Sequence, residues 1–211
     1  MRLAFLFAVA WGVATSSFAA GSTPLDRYLD GLRTLRADFS QTLVDSKNQV
    51  VDRASGTLVV SRPGKFRWDV KPQGANEGSG QLMVADGKNV WFLDRDLEQV
   101  TVKPVDAALS ATPAMLLSST VDVRTHFTVS PAGTREGLEW VLVEPRAAEA
   151  DFRSALLGFK NNQLARMIID DKLGQTATVV FASIARNERV AVEEVSFAPP
   201  AGVDVIGTPA S

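Results

Sequence analysis

Few side chains in this sequence have the types and spacing that catalysis or metal binding requires. The chain of 211 residues contains no cysteine and a single histidine, His126, so it offers neither a thiolate nor the several histidines of a zinc site. His126 lies in the run Arg124-Thr125-His126-Phe127 and is expected to be a hydrogen-bonded strand residue. Neither Gly-x-Ser-x-Gly nor a phosphate-loop motif occurs. The sequence therefore predicts no catalytic residue, no metal site, no cofactor and no enzyme.

The acidic residues likewise form no recognisable site. Asp94-x-Asp96-x-Glu98 begins like a calcium-binding loop, but such a loop needs glycine at its sixth position and glutamate at its twelfth. Gln99 and Val105 stand there instead, so the segment is interpreted as a charged turn. The neighbours in Asp170-Asp171 would point to opposite faces of a strand, which is unsuitable for an acid and base acting together.

One arginine interrupts an apolar pattern, in the stretch Ser61–Trp68. Side chains of a strand alternate between its two faces. If the Pro63-Gly64 turn keeps register, one face of the predicted hairpin carries one charged and four apolar residues: Leu58, Val60, Arg62, Phe66 and Trp68. A charge that faces an apolar interior must be paired. Two interpretations therefore stay open. The side chain of Arg62 faces the interior and is paired there, or it points outward at the hairpin turn.

Residues 1–19 are expected to be a secretory signal peptide. Arg2 precedes the apolar run Leu3–Val13, and Ser17-Phe18-Ala19 supplies the small residues of a cleavage site. The run is too short to span a bilayer, and no cysteine follows it for lipid attachment. Residues 20–211 are then expected to form one exported domain, which must be stabilised by its core because it has no disulfides.

The charge of the chain excludes some partners. The formal net charge is −2, and loss of the signal peptide, whose only charge is Arg2, makes it −3. A weakly acidic chain gives no electrostatic reason to bind nucleic acid or anionic lipid.

Short alternating runs between turn clusters predict a mainly antiparallel β protein of about a dozen strands. Turns are expected at Asp86-Gly87, Asn161-Asn162 and Lys172–Gly174. The predicted strands are 36–45, 57–60, 65–70, 80–85, 89–93, 98–103, 123–129, 137–144, 153–160, 163–170, 176–182 and 195–198.

Two segments have the chemistry of helices instead. Thr23 and Pro24 favour a helix start, and leucines at helical spacing extend the predicted helix to residue 35. Thr112 and Pro113 favour a second start, within a predicted helix over residues 107–119 that is too apolar for a solvated loop. Helices that flank so many strands are expected to cover one face or mouth of a curved sheet or nearly closed barrel.

Ordered motifs over nearly the whole mature chain resemble the LolA family of periplasmic carriers of outer-membrane lipoproteins. No single motif is specific, but their order is. They are Phe39-Ser-Gln41, Gly56-Thr-Leu58, Arg62-Pro-Gly-Lys-Phe66-Arg-Trp68, Asp86-Gly87-Lys88-x-x-Trp91, Asp94-x-Asp96-Leu97-x-Gln99-Val100, Thr112-Pro113-x-x-Leu116-Leu117 and Phe197-x-Pro199-Pro200-x-Gly202-Val203-Asp204. The segment Gly74–Gly80 departs from the pattern as an insertion.

The resemblance implies a mainly β (α+β) fold, an unclosed antiparallel β-barrel with a helical lid over an apolar cavity. It implies that Arg62 latches the lid and that Phe66 lies where acyl chains enter, with Trp68 expected deeper. The other residues expected at the entrance or in the cavity are Phe39, Leu58, Val60, Trp91, Met115, Leu116 and Leu117. The implied function is that of a monomeric periplasmic chaperone, whose partners are acylated lipoproteins, an inner-membrane lipoprotein-releasing ABC transporter and an outer-membrane lipoprotein acceptor.

Other functions on the same barrel agree less well with this sequence. The outer-membrane acceptor is itself lipidated and would need a cysteine at the cleavage site, which this chain lacks. A lipid-modifying enzyme is disfavoured by the single histidine. The remaining alternative is a sensor or regulatory domain that binds lipid or lipoprotein without carrying it, and such a domain usually accompanies a further domain.

Overall fold

The computed structural model of the protein describes residues 22–105, 113–119, 121–148 and 150–210. The predicted signal peptide and the predicted helix cap at Thr112 lie outside the described residues. Two short helices are described, α1 (Pro24–Leu29) and α2 (Pro113–Ser118). The strands are β1 (Thr34–Val44), β2 (Val50–Ser61), β3 (Lys65–Pro72), β4 (Gln81–Asp86), β5 (Asn89–Asp94), β6 (Gln99–Pro104), β7 (Phe127–Arg135), β8 (Leu138–Pro145), β9 (Phe152–Lys160), β10 (Gln163–Asp171), β11 (Thr176–Arg186) and β12 (Asp204–Ile206).

All of these strands belong to one sheet, in the order β12-β6-β5-β4-β3-β2-β1-β11-β10-β9-β8-β7. Pairing is antiparallel except between β12 and β6, which run parallel. β7 and β12 stand at opposite edges and do not pair with each other, so the sheet is unclosed. The predicted mainly β, unclosed antiparallel architecture is therefore confirmed.

The sheet curls around its main core. The rings of Trp68 on β3 and Phe181 on β11 lie 6.5 Å apart, and both contact Phe39 on β1. In a flat sheet strands three positions apart would be separated by about 14 Å, and their side chains would stand roughly parallel to one another. These rings meet because the sheet bends, and the face that carries them is called the inner face below.

α1 is shorter than predicted. Thr23 and Asp26 form a capping box at its start, as the sequence indicated, but the helix ends at Leu29 rather than near residue 35. The chain turns at Gly31, whose φ is +63°, a conformation that glycine adopts without steric cost. Leu32 and Leu35 still reach the core from the turn and from β1, which is why the leucine spacing looked like a longer helix.

The C-terminal segment was also predicted incorrectly. Residues 195–198 do not form a strand: a short 3-10 helix, Val192–Val195, packs on the outer face of β2, β3 and β4. The chain then runs to β12, which the sequence did not predict. His126 likewise ends a 3-10 turn, Val123–Thr125, and precedes β7 instead of lying within it.

The outer face of β4, β5 and β6 carries a second apolar cluster beneath this segment. Its buried members are Leu82, Val84, Trp91, Leu93, Val100 and Val102, with Phe197 and Val203 packed against them. Arg36 pairs with Glu194 at 2.6 Å, and Asn89 exchanges two hydrogen bonds with the backbone of Ala210. These contacts fix the C-terminal segment across the outer face of the sheet.

Gly56 on β2 is required by the close packing of the sheet. A Cβ at this position would lie 1.9 Å from the carbonyl oxygen of Asp69 and 2.6 Å from Cζ of Phe39. We expect Gly56→Ala to lower the free energy of unfolding by about 1–3 kcal/mol through overpacking. Chemical denaturation measures this change, with Ser55→Ala at the exposed neighbouring position as a control within about 0.5 kcal/mol of the wild type. Unchanged stability in Gly56→Ala would contradict the packing argument.

Candidate functional site

The inner face and α2 enclose an apolar interior. Ala114, Met115, Leu116 and Leu117 of α2 are all 2% exposed or less. They belong to the same cluster as four side chains of the sheet that the sequence singled out: Phe39, Leu58, Val60 and Phe66. α2 therefore fills, with its own side chains, the space that the curled sheet surrounds.

Arg62 turns inward and joins the two helical segments. Its Nη1 donates to the carbonyl oxygens of Leu29 at 2.9 Å and Leu32 at 3.2 Å, and its Nη2 donates to that of Ser119. Burial lowers the pKa of Arg62, yet an arginine stays charged in proteins. Within the described part of the chain no carboxylate lies within salt-bridge distance of it. Its acceptors are thus backbone carbonyls of the α1 turn and of the residue that follows α2.

The β2–β3 turn supports the same junction through its backbone. Gly64 donates its N–H to the carbonyl oxygen of Ser118, the last residue of α2, at 2.8 Å. Arg62 donates its own N–H to the carbonyl oxygen of Arg33 at 2.8 Å. The turn therefore holds the C-terminal end of α2 against the sheet next to the guanidinium.

A cavity of about 210 Å³ lies between α2 and the sheet. Its lining is mostly apolar, with two amide side chains, and consists of Gln41, Trp68, Val70, Gln81, Met83, Phe92, Ala114 and Ile169. Trp68, Met83 and Phe92 are directly opposite one another on β3, β4 and β5. This cross-strand row forms one wall, and α2 contributes Ala114 to the boundary.

The sequence analysis expects Phe66 at the entrance and Trp68 deeper, and the two residues differ in burial in the structure. Phe66 is fully buried in the core, whereas Trp68 is partly exposed and lines the cavity. The reason is that α2 covers the end of β3 nearest the turn and leaves the next inward-facing position beside the opening.

Trp91 was expected in the cavity and lies on the other side of the sheet. On β5, Val90 packs in the inner cluster, while Trp91 packs in the outer one, with its ring 5.4 Å from Phe197. Its indole Nε1 donates to Asp86 Oδ2 at 2.7 Å. Successive side chains of a strand alternate between its two faces. Because Val90 faces the inner cluster, its neighbour Trp91 faces the outer one.

Several lining residues were missed from the sequence, and a usable signal existed for some of them. Val70 has the same parity as Trp68 on β3, and the short β4–β5 hairpin places Phe92 opposite Met83, which pairs with Trp68. Ile169 and Gln41 come from strands whose position depends on long-range pairing, which local patterns do not reveal.

α1 is held to the sheet by polar contacts on both sides. Arg124 donates to both carboxylate oxygens of Asp26, at 2.7 and 2.9 Å. Arg27 pairs with Glu139 of β8 at 2.8 Å, and Arg186 of β11 donates to the carbonyl oxygen of Tyr28 at 2.7 Å. Arg124 and Thr23 hold the pKa of Asp26 well below its usual range, so this carboxylate stays charged while the helix is in place.

Asp26→Asn is expected to lower the free energy of unfolding at pH 7 by about 1–2 kcal/mol, because a helix cap and an ion pair are lost. Since the pKa of Asp26 is depressed in the folded state, its contribution is complete well above the unfolded pKa of about 3.9 and is lost as the pH falls below it. Denaturation curves from pH 7 to pH 2 should therefore show wild type and variant converging toward acid. Arg124→Gln should weaken the same pH dependence without abolishing it, because Thr23 still donates to the carboxylate of Asp26. A wild-type-to-Asp26→Asn difference that stays constant with pH would contradict this assignment.

Among the described residues, every helix is too short or too polar to span a bilayer. No group of three or more His, Cys, Asp and Glu residues among them could hold a metal ion.

Comparisons with known proteins agree on one family. The family model described as outer membrane lipoprotein carrier protein LolA matches residues 30–198. An outer-membrane lipoprotein carrier protein of Methylococcus capsulatus is 38% identical over 196 residues, which is 92% of this chain and 91% of that protein. One of Dechloromonas aromatica is 40% identical over 184 residues, covering 87% of this chain and 86% of that protein.

One solved structure resembles this fold at low sequence identity. A DUF1329 family protein from Desulfovibrio piger superposes with a TM-score of 0.50 at 7% identity, over 82% of this chain and 95% of that one. This likeness is to the fold alone.

Proposed function

The chain belongs to the LolA family of outer membrane lipoprotein carrier proteins, and on that premise we propose that it carries lipoproteins by sequestering their acyl chains on the inner face. The observation that supports this most directly is the apolar interior that α2 fills with its own side chains. A carrier needs such a space, because an acyl chain in water costs about 0.8 kcal/mol per exposed methylene, or on the order of 10 kcal/mol per chain.

In this proposal the described structure corresponds to the closed state of the carrier. Its cavity of about 210 Å³ is smaller than the roughly 300–1,000 Å³ of pockets that hold drug-sized ligands. Several acyl chains therefore require α2 to move away from the sheet. When it returns, its four apolar side chains compete with the cargo for the same surface, which favours release.

Arg62 is the latch of this closed state in our proposal. It joins the α1 turn to the residue after α2, so moving α2 breaks its bond to Ser119 while the bonds to the α1 turn can persist. α1 is anchored by its own ion pairs, which makes α2 the moving part of the lid.

The acyl chains enter beside Trp68 in this scheme. Trp68 borders the existing cavity, and Phe66, Phe39, Leu58 and Val60 become the deeper lining once Met115, Leu116 and Leu117 withdraw. Trp91 has no part in the cavity, because it faces the opposite side of the sheet.

The cellular setting follows from the same premise. We propose a monomeric, non-enzymatic carrier that works in the periplasm after removal of residues 1–19. It receives acylated lipoproteins from an inner-membrane ABC transporter and delivers them to an outer-membrane acceptor. Residues 20–211 act as the single carrier domain.

The test is capture of a lipoprotein from inner-membrane vesicles that contain the releasing transporter and ATP. We expect lipoprotein to appear in the supernatant as a soluble complex with this protein, and a mass spectrum of the complex to show intact acyl chains. Val180→Glu, at an exposed outer-face position, should capture as well as the wild type. If lipoprotein stays with the vesicles under these conditions, the proposed function is wrong.

A further inference from the structure

The lining of the inner face changes from apolar to polar one row beyond Trp68. Side chains that pair across β2 to β5 lie side by side, so the inner face there consists of rows that cross the strands. The row nearest the β2–β3 turn contains Val60, Phe66, Ala85 and Val90, and the next contains Leu58, Trp68, Met83 and Phe92. The third row contains Gly56, Val70, Gln81 and Asp94. An amide and a carboxylate therefore begin where the two apolar rows end.

Two amide side chains line the cavity at this level. They are Gln81 of β4 and Gln41 of β1, and they border the same cavity as Trp68. Gln41 lies opposite Ala54 of β2, one row further from the β2–β3 turn than Gly56. Among the described residues, the only hydrogen bond to either amide runs from Gln81 Nε2 to Asp94 Oδ2, at 3.4 Å. Each amide has two N–H donors and one carbonyl acceptor, so most of these groups are available to a ligand in the cavity.

The carboxylate of Asp94 is held next to these amides. Its Oδ1 accepts from two backbone N–H groups of the β5–β6 turn, both at 3.1 Å, and its Oδ2 is the atom that Gln81 contacts. The neighbouring Arg95 binds both carboxylate oxygens of Asp69 instead, each at 2.9 Å. A ligand that places an anion beside Asp94 is therefore repelled, whereas a neutral group of similar size is not.

We propose that Gln41 and Gln81 bind the neutral head of a triacylated lipoprotein and that, with Asp94, they select it over a phospholipid. This inference rests on the proposed carrier function and names the substrate class of the same cavity. When acyl chains fill the apolar rows, the group that joins them lies one row further out, level with the amides. In a triacylated lipoprotein this group has an amide N–H and carbonyl oxygens, which match the acceptors and donors of a carboxamide. In a phospholipid it carries a phosphate, which Asp94 repels.

The test measures the affinity of the protein for two probes with identical palmitoyl chains, a synthetic triacylated lipopeptide and phosphatidylglycerol. We expect Gln41→Leu and Gln81→Leu each to bind the lipopeptide about two- to tenfold more weakly than the wild type does, the value of one hydrogen bond. Both variants should bind phosphatidylglycerol at least as tightly as the wild type does. Asp94→Asn keeps an oxygen for the turn and loses the charge, so it should bind phosphatidylglycerol about two- to tenfold more tightly and the lipopeptide as before.

Gln163→Leu is the matched control. Gln163 is an exposed residue of β10, opposite Lys160 at the β9–β10 hairpin, and its replacement should leave the affinity for both probes unchanged. Thermal melting of the empty proteins separates a lost ligand contact from a lost structural one. Gln41→Leu and Gln81→Leu should melt close to the wild type, because their amides contribute little hydrogen bonding to the closed state.

An unchanged ratio of the two affinities in the Gln41→Leu/Gln81→Leu double variant would overturn the proposal. An equal loss of affinity for both probes would also overturn it, because the amides would then only shape the cavity. Unchanged phosphatidylglycerol binding by Asp94→Asn would remove the carboxylate from the selection. If the wild type does not bind the lipopeptide at all, the carrier function itself fails, which is a separate outcome.

Discussion

Arg62→Leu is expected to accept lipoprotein normally and to deliver it about 10- to 100-fold more poorly than the wild type. The guanidinium binds three backbone carbonyls, two from the α1 turn and one from Ser119. Hydrogen bonds to a charged group contribute about 1.5–3 kcal/mol, and this free energy favours the closed state over the open one. Without it the cavity stays open, and the return of α2 no longer drives the acyl chains out.

A two-stage assay separates uptake from delivery. Capture from inner-membrane vesicles is measured first, and transfer from the soluble complex to outer-membrane vesicles second. Arg62→Lys should show an intermediate defect, because one ammonium cannot match the geometry with which the planar guanidinium bridges the two helical segments. Arg67→Leu on the opposite face of β3 is the control. Delivery by Arg62→Leu at the wild-type level would exclude the latch.

Trp68→Glu should fold and fail to capture lipoprotein, with a loss of at least about tenfold. The side chain is partly exposed and borders the cavity, so water can reach a carboxylate there in the empty protein. Acyl chains that enter would bury it in hydrocarbon, where the group must stay wet or take up a proton.

The same substitution at Phe66 should have a different effect. Phe66 is fully buried, so Phe66→Glu is expected to lower the free energy of unfolding by about 4 kcal/mol or more. Thermal melting and vesicle capture are measured on both variants, with Val180→Glu as the control for added charge. Normal capture by Trp68→Glu would remove Trp68 from the entrance, and normal melting of Phe66→Glu would contradict its burial.

Local patterns were sufficient for most of the sheet because each of its halves is built from hairpins. Alternation and turn residues predicted eleven of the twelve strands, nine of them to within a few residues. β2 begins well before its predicted start, and β7 shares only three residues with its predicted range. β12 was missed because it is three residues long, exposed and paired in parallel, so it has neither an alternating pattern nor a hairpin turn.

The site was harder to predict than the sheet. On β4 and β5 the side chains of both faces are apolar, because the C-terminal segment covers the outer cluster. Hydrophobicity alone therefore could not assign Trp91 to the inner or the outer face. The order of Phe66 and Trp68 depends on where α2 rests, which is a tertiary contact.

The order of strands also determines when the protein can finish folding. β1 to β6 and β7 to β11 are two runs of neighbouring hairpins, but β1 finds its second partner only in β11, with Phe39 opposite Phe181. The far edge of the first run is covered by β12. β1 and β6, the two edge strands of the first run, therefore gain their outer partners only after β11 and β12 have been synthesised. Contacts so distant in sequence form slowly. Until then this half exposes two unpaired strand edges, where chains aggregate, so truncation before β11 should give an insoluble product.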